Sequence, residues 1–202
     1  MKDRLLLVAT TNAGKVREIR AALEGLPLKT VGLEETLPGV VYRERGQTFL
    51  ENARGKGRFY SRRTGLLTLA EDSGLEVGAL RGQPGVRSAR FAGPRATDEA
   101  NNRKLLKLLS GVPGTKRRAR FVCTMVLARG GRVVKEIRGE ARGTIAAAPR
   151  GQSGFGYDPL FYFPRLRKTF AELRPEVKNK VSHRGRALRQ LAAFLRREIG
   201  PT

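Results

Sequence analysis

Two adjacent carboxylates, Glu71 and Asp72, are the residues of this sequence best placed to bind a divalent cation. They directly follow residues 66–70, a short apolar run that predicts a buried strand ending at Glu71. Carboxylate oxygens grouped at the end of a strand suit a hard cation such as Mg²⁺. The order Asp72, Ser73, Gly74 is also common in turns, so a structural turn is the alternative interpretation.

The loop at residues 10–15 has the composition expected of a phosphate site. It joins residues 5–8, an apolar run typical of a strand buried on both faces, to a helix whose apolar side chains begin at Val16. Backbone N–H groups at a helix N-terminus attract phosphate, and Lys15 adds a full positive charge. This is no Walker A loop, because Val16 stands where that motif has Ser or Thr. A plain strand-to-helix connection with a solvated lysine is the alternative. The candidate contacts are Thr10, Thr11, Asn12, Ala13, Gly14 and Lys15.

Residues 151–159 form a glycine-rich segment that contains two aromatic residues, Phe155 and Tyr157. Glycines allow a backbone to approach a ligand closely, and an aromatic face can stack on a nucleobase. A simple turn needs fewer glycines and rarely contains two aromatic residues. The segment therefore favours a binding loop, with Phe155, Gly156, Tyr157 and Asp158 as its contacts.

Residues 178–184 place Lys178, His183 and Arg184 around Ser182, which we expect to cap the last helix. His183 is the single histidine of the chain, which excludes a site with several histidine ligands. Donors at a helix N-terminus point outward together and are able to bind an anion or a carbonyl oxygen. A structural histidine beside a solvated basic surface is the alternative.

The rest of the sequence predicts the helices and strands that position these candidate site residues. Capping residues followed by helical periodicity indicate four helices, and a Gly-Gly pair between two apolar runs indicates a β-hairpin. Mixed strands and helices around an antiparallel hairpin indicate an α/β fold with a mixed sheet. No linker is long enough to separate independent domains, so we expect one domain over residues 1–202. The predicted helices begin at Val16, Thr48, Thr97 and Ser182, and the predicted hairpin strands are residues 120–128 and 132–141.

Charge is the most unusual property of the composition. The 202 residues include 41 Lys and Arg but only 18 Asp and Glu, a formal net charge of +23. Such a charge attracts anions, whether nucleic acid, anionic lipid or phosphorylated small molecules. A hydrophobic content of 40% is too high for a disordered basic tail. Because Cys123 is the single cysteine, a disulfide within the chain is excluded. We recognise no secretory or membrane-spanning segment and expect a soluble, cytoplasmic protein.

Five sequence blocks, in this order, resemble the Ham1-like family of inosine triphosphate pyrophosphatases. The blocks cover nearly the whole chain, and together they are far more specific than any one of them. The block at residues 154–161 is similar to the family's G-F-G-Y-D-P-x-F without a change. Three departures are small: Arg45 replaces the usual Thr, Glu71 replaces the first Asp, and Val177 stands where Glu is common. The remaining blocks are residues 10–18, residues 44–56, residues 71–93 and residues 178–188.

The resemblance implies an enzyme that hydrolyses ITP, dITP and XTP to the monophosphate and pyrophosphate, and so cleanses the nucleotide pool. It implies Mg²⁺ held by Glu44 and Asp72 with help from Glu71, and Asp72 activating the attacking water. Lys15 and Lys56, with the amides of residues 10–15, would clamp the triphosphate. The family also implies an elongated mixed sheet flanked by helices, two lobes with the active-site cleft between them, and a homodimer.

Recognition of the base is a separate requirement. Hypoxanthine and xanthine carry an acceptor oxygen at C6, where adenine carries an amino donor. Donors directed at C6 therefore favour the oxo bases and oppose adenine. We predict that Lys178, His183 and Arg184 supply these donors while Phe155 stacks on the purine. The resemblance adds Ser73, Gly156, Tyr157 and Asp158 to the substrate-binding set.

Two other functions compete with this prediction. The positive charge is compatible with a nucleic-acid-binding protein, but its clusters are scattered and no zinc finger, RRM signature or basic zipper accompanies them. A Maf-like nucleotide pyrophosphatase with another base preference is the nearer alternative, and the block Ser182, His183, Arg184 argues against it. We expect no membrane partner and no specific nucleic acid.

Overall fold

The computed structural model of the chain describes residues 4–199, so residues 1–3 and 200–202 of the predicted domain lie outside the described residues. Seven strands are present in this range: β1 (Leu5–Val8), β2 (Lys29–Gly32), β3 (Leu67–Val77), β4 (Arg118–Arg129), β5 (Arg132–Ile145), β6 (Phe161–Phe163) and β7 (Lys168–Thr169). They form one sheet in the order β2-β1-β3-β4-β5-β6-β7. β1 is parallel to both β2 and β3, whereas β6 is antiparallel to β5 and β7. The sheet is therefore mixed, as predicted.

The helices of the described range begin where the sequence supplies capping residues. They are α1 (Ala13–Leu23), α2 (Leu33–Thr36), α3 (Phe49–Thr64), α4 (Asp98–Leu108), α5 (Pro175–Val181) and α6 (His183–Ile199). The side chains of Asn12, Thr48 and Thr97 each accept a backbone N–H from the first turn of α1, α3 and α4. The predicted starts at Thr48 and Thr97 are confirmed. None of the described helices has the length and apolarity needed to cross a membrane.

The chain divides into two compact units. Among the described residues, the first unit comprises residues 4–72, Cys123–Gly139 and residues 184–199. Leu6 and Val8 pack with α1 and α6 on one side of β1, whereas Leu7 and Ala9 pack with Tyr60 of α3 on the other. This alternation confirms that β1 is a strand buried on both faces.

The second unit comprises Ser73–Val122 and Glu140–His183. Its core is rich in aromatic rings, with Phe121 and Phe170 stacked at 5.9 Å and Phe161 tilted against both. Leu105 and Leu109 of the α4 region are fully buried in the same cluster. α4 is thereby attached to this aromatic core.

Two predicted boundaries are wrong. The strand predicted to end before Glu71 continues to Val77, because Leu75 and Val77 are buried and Gly74 packs closely against Ser88. The first helix begins at Ala13 rather than Val16, because Asn12 caps it. Glu71 and Asp72 consequently lie within a strand and not in a turn.

Several elements were not predicted from the sequence. β2, β6 and β7 have two to four residues each, too few to show a clear alternation of apolar side chains. α5 contains Lys178, which therefore lies on a separate short helix ahead of α6. The predicted hairpin is confirmed, but its strands are longer than expected at both outer ends.

The close contact at Gly74 generates a prediction for stability. A Cβ at this position would collide with the Ser88 hydroxyl and lie 2.7 Å from the carbonyl oxygen of Gly85. We expect Gly74→Ala to lower the free energy of unfolding by about 1–3 kcal/mol, as overpacked sites do. Gly114→Ala is the matched control, because its Cβ would meet nothing within 4 Å. Equal urea midpoints for the two variants would contradict the prediction.

Candidate active site

Asp72 is a nearly buried carboxylate on β3, with 7% of its surface exposed. Its Oδ2 accepts a hydrogen bond of 2.8 Å from Asn52 Nδ2. Burial, followed by the negative charge of Glu44, raises the pKa of Asp72, while Asn52, Lys15 and Lys56 oppose that rise. A more basic carboxylate is better able to accept a proton from water.

Asn52 links the two carboxylates that the resemblance assigns to the metal. It is buried on α3, and its Oδ1 accepts the Gly46 N–H at 2.7 Å while its Nδ2 donates to Asp72. Gly46 lies two residues after Glu44, so one amide side chain anchors both the segment that carries Glu44 and the Asp72 carboxylate. Gly46 has to be small here, because a Cβ would lie 2.7 Å from Asn52 Oδ1.

Lys56, one helical turn after Asn52, is a cation that contacts Glu44 of this carboxylate pair. Its ammonium forms an ion pair with Glu44 and donates to the Glu71 carbonyl oxygen at 3.0 Å. The side chain is 14% exposed, so its charge is only partly screened by solvent. Lys56 thus contacts both Glu44 and the backbone of β3. This position suits a lysine that binds phosphate beside a metal site.

Glu71 is surrounded by cationic side chains, unlike a typical metal ligand. It is 1% exposed, and its carboxylate accepts from Arg184 Nε at 2.9 Å, Arg184 Nη2 at 3.2 Å and Lys15 Nζ at 2.8 Å. Burial by itself would raise the pKa of Glu71, but the charges of Arg184 and Lys15 outweigh it and hold the pKa well below its usual range. Both oxygens are occupied by cationic donors, so direct metal ligation by Glu71 is not favoured.

Arg184 is equally buried and is the partner of two acids. It is 2% exposed, and its Nη1 donates to Glu18 at 2.7 Å while its other nitrogens bind Glu71. The guanidinium is therefore held by α1 and β3. These bonds use three of the five N–H groups of the guanidinium, and the burial of both charges opposes any displacement of the side chain from Glu71 and Glu18. The predicted donation from Arg184 to a base stays a prediction.

The predicted phosphate loop is the N-terminal turn of α1. Asn12 Oδ1 accepts the Lys15 N–H at 3.0 Å, and Thr10 Oγ1 accepts the Asn12 N–H at 3.2 Å. Thr11, Asn12 and Ala13 are exposed, and the first turn of α1 contains no acidic residue. These features are favourable for binding an anion at the positive end of the helix. Lys15, 16% exposed, already bonds Glu71.

In the second unit, Asp158 organises the glycine-rich segment. It is 2% exposed, and its Oδ2 accepts the Phe155 N–H at 3.0 Å and the Lys178 ammonium at 2.6 Å. The Lys178 ammonium also lies 4.8 Å from the centre of the Phe155 ring. Gly154 has φ +84°, and a side chain there would collide with Asp158. Phe155, Asp158 and Lys178 are thus brought together, and Gly156 lies among them.

Tyr157 and His183 are more deeply placed than the sequence suggested. Tyr157 is 4% exposed and donates to the Ser88 carbonyl oxygen at 2.8 Å, while burial, aided by the charge of Asp98, raises its pKa. A substrate contact from Tyr157 would therefore come from its backbone. His183 is 4% exposed and stacks on Phe121 at 4.6 Å with the rings 9° from parallel. Ser73, next to Asp72 on β3, is half-buried.

Comparisons with known proteins show to which family the chain belongs. The sequence profile of the Ham1 family matches residues 6–194. The chain belongs to the Ham1 family. It is 51% identical over 190 residues to a dITP/XTP pyrophosphatase of Geobacter sulfurreducens, a match covering 94% of this chain and 96% of that protein. A dITP/XTP pyrophosphatase of Thermus thermophilus is 48% identical over 191 residues, 95% of this chain and 91% of that protein.

Solved structures agree with the fold. A HAM1 protein from Coxiella burnetii superposes with a TM-score of 0.88 at 40% identity, covering 96% of this chain and 98% of that one. The Staphylococcus aureus Ham1 protein gives a TM-score of 0.87 at 40% identity, covering 96% of this chain and 99% of that one. The mixed sheet flanked by helices is therefore that of the Ham1 family.

Three supporting residues of this Ham1 family member were missed by sequence reasoning. Glu18 and Asn52 belong to the quoted blocks but received no role, because a buried partner cannot be seen in a one-dimensional pattern. Ser88 was missed in the same way: its hydroxyl accepts the Leu75 N–H at 2.9 Å and donates to Gly85 at 2.6 Å. The available signal was the presence of polar residues inside otherwise apolar or helical segments.

The buried ion cluster generates a stability prediction. Glu71→Gln keeps the shape of the side chain but leaves Arg184 and Lys15 without their main countercharge. Removing one partner of a buried pair costs about 3–5 kcal/mol, which should appear as a lower urea midpoint. Glu136→Gln is the control, because its pair with Arg54 is only half-buried and open to solvent, and it is expected to contribute no more than about 1 kcal/mol. A Glu71→Gln midpoint equal to that of the control would contradict the prediction.

Proposed function

We propose that this Ham1 family member hydrolyses dITP, ITP and XTP to the nucleoside monophosphate and pyrophosphate in the presence of Mg²⁺. Its relatives named dITP/XTP pyrophosphatase support the substrate class. The observation that carries the proposal is the pair of carboxylates Glu44 and Asp72, placed close enough for one charge to raise the pKa of the other and accompanied by Lys56 and Lys15. Two such carboxylates repel each other unless a cation or a proton lies with them.

The donor set is compatible with Mg²⁺ as the metal. Among residues 4–199 no group of three or more His, Cys, Asp or Glu side chains is arranged to hold a metal ion by itself. Mg²⁺ commonly binds through one or two carboxylates together with substrate phosphates and water. Glu44 and Asp72 would hold it, and when bound it would offset the charge that develops on the phosphates. Glu71, which binds Arg184 and Lys15, would support the site indirectly by holding these two side chains in place.

The side chains of the first unit have complementary roles in this proposal. Asp72 orients the attacking water and accepts its proton, while Asn52 holds the carboxylate in position through Oδ2. Lys15, Lys56 and the exposed N-terminal turn of α1 bind the triphosphate oxygens. Water attacks the α-phosphorus, the bond between the α- and β-phosphates breaks, and pyrophosphate leaves.

The residues of the second unit provide the base contacts. Phe155 stacks on the purine, and Lys178 and His183 are the donors proposed for the C6 oxygen. Arg184 acts indirectly, since its guanidinium is bound to Glu71 and Glu18. A donor-lined site disfavours adenine because its amino group would face another donor. The homodimer and the cytoplasmic location implied by the resemblance stay predictions.

Asp72→Asn tests the catalytic assignment. The amide is a poor proton acceptor and a weaker metal ligand, so kcat for pyrophosphate release from ITP with Mg²⁺ should fall about 10²–10⁴-fold. Binding of ITP, measured by calorimetry, should be largely retained. Glu136→Gln serves as the control, because it makes the same carboxylate-to-amide change at a residue outside the proposed site. Unchanged pyrophosphate release by Asp72→Asn would overturn the assignment.

His183→Phe tests base recognition with the aromatic stack on Phe121 retained. This change removes the ring nitrogens but keeps a planar ring in the same place. We expect the ratio of kcat/KM for ITP to that for ATP to fall at least about tenfold, the effect of losing one hydrogen bond to the discriminating atom. His183→Ala should lower the ratio as well. A ratio within twofold of the parent value in both variants would contradict the role.

The nucleic-acid alternative rests on the net charge of +23 and is tested alongside. Pyrophosphate release from ITP, XTP, dTTP and ATP is compared with duplex binding over a salt series. Release from ITP and XTP with weak duplex binding is expected. Steeply salt-dependent duplex affinity without any hydrolysis would favour a binding protein, and preference for dTTP would favour the Maf-like alternative.

A further inference from the structure

One face of α4 holds both backbone polar groups of Gly156. Asp98 Oδ2 accepts the Gly156 N–H at 2.6 Å, and Asn102 Nδ2 donates to the Gly156 carbonyl oxygen at 3.0 Å. Asp98 and Asn102 are four residues apart, the spacing that places two side chains side by side on a helix. Together they form a clamp on a single residue of the glycine-rich segment.

The glycine-rich segment is held in part by its backbone, since the Ser153 N–H donates to the Ala171 carbonyl oxygen at 3.1 Å and the Asp158 N–H donates to the Phe155 carbonyl oxygen at 3.3 Å. Gly156 lies among glycines that restrict the backbone little by themselves. Gly151, Gly154 and Gly156 have φ values of +81°, +84° and +64°, in the region that glycine enters with little cost. The same freedom makes other conformations accessible to this segment, so its functional conformation needs external support. α4 is suited to provide it, because Leu105 and Leu109 attach this region to the aromatic core.

Capping of α4 does not require the clamp. Thr97 already caps the helix by accepting the Ala100 N–H at 3.2 Å. Asn102 is 8% exposed, and its Oδ1 finds no hydrogen-bond partner among residues 4–199, so the bond to Gly156 is the one that its amide makes in that range. Burying an apolar side chain at this position would cost less free energy than burying Asn102, unless the carbonyl oxygen of Gly156 needs a hydrogen-bond donor.

The clamp and Asp158 together hold the backbone on both sides of the Phe155 side chain along the chain. The Phe155 N–H is held by Asp158, and the next N–H along the chain, that of Gly156, is held by Asp98. Carboxylates therefore bind two consecutive amides and set the direction of the Phe155 side chain. The Lys178 ammonium, 4.8 Å from that ring and bonded to Asp158, is part of the same arrangement.

We propose that Asp98 and Asn102 are positioning residues for base selectivity, acting by holding Gly156 so that the Phe155 ring and Lys178 keep a fixed geometry. The inference rests on the proposed function, in which Phe155 and Lys178 contact the purine. In this proposal the two clamp residues act through Gly156 and not by binding the purine themselves. A loosened segment lets the ring and the ammonium adapt to adenine, so discrimination falls while the phosphate chemistry of the first unit continues.

The test compares Asp98→Ala and Asn102→Leu with the parent chain. Each variant should lower the ratio of kcat/KM for ITP to that for ATP by about five- to tenfold, the effect of losing one hydrogen bond that fixes the loop. The loss should come mainly from a higher KM for ITP, with kcat nearly unchanged. Asp98→Asn keeps an acceptor oxygen and should restore most of the ratio.

Thr97→Ala is the matched control, since it weakens the start of the same helix without touching Gly156. Hydrogen exchange of residues 151–158 provides a second readout: exchange should increase in Asp98→Ala and Asn102→Leu but not in Thr97→Ala. Folded clamp variants that keep a ratio within twofold of the parent would overturn the inference. An equal loss of the ratio in Thr97→Ala would overturn it too, because general loosening of α4 would then be the cause.

The failure of this inference is distinguishable from the failure of the proposed function. If the parent chain releases no pyrophosphate from ITP, the proposed function is wrong, and the clamp loses its role in selectivity with it. If the parent chain is active and prefers ITP, an unchanged ratio in both clamp variants refutes the clamp alone.

Discussion

The pairing of the buried Glu71 carboxylate with Arg184 and Lys15 is the interaction on which the first unit depends. An isolated charge in this position would be very costly to bury, but Glu71 and Glu18 balance Arg184 and Lys15 within one cluster. The four residues come from α1, β3 and α6, so the ion pairs fix the positions of three elements. They also fix β3 immediately before Asp72, the carboxylate for which we propose a catalytic role.

In the second unit, hydrogen bonds as well as ion pairs hold the proposed binding segment in position. Its glycine-rich segment has a backbone that is free to adopt many conformations, and side chains from surrounding elements hold it. Asp158 holds the Phe155 amide from within the segment, while Asp98 and Asn102 hold Gly156 from α4. In a chain with so few acids, carboxylates are used where a backbone N–H or a buried cation needs an acceptor.

The sequence predicted the mixed α/β sheet, the starts of α3 and α4, the hairpin and the family, because each rests on local signals. Capping residues act within one turn, and the Gly130–Gly131 pair acts within one hairpin. The end of β3 was predicted wrongly because Glu71 and Asp72 look like turn residues when their distant partners are unknown. The buried partners of Arg184 could not be seen in the sequence for the same reason, since Glu18 lies 166 positions away. Its role as a base donor stays a prediction.

The sequence by itself determined which residue types the site contains: carboxylates for a cation, lysines for phosphates, and an aromatic ring among glycines for a base. These follow from side-chain chemistry and motif order, which need no coordinates. Only the tertiary structure decided which of these residues are buried and with which partners. Glu71, Arg184 and Tyr157 are buried beside partners far away along the chain, because burial requires every charge and polar atom to find a partner.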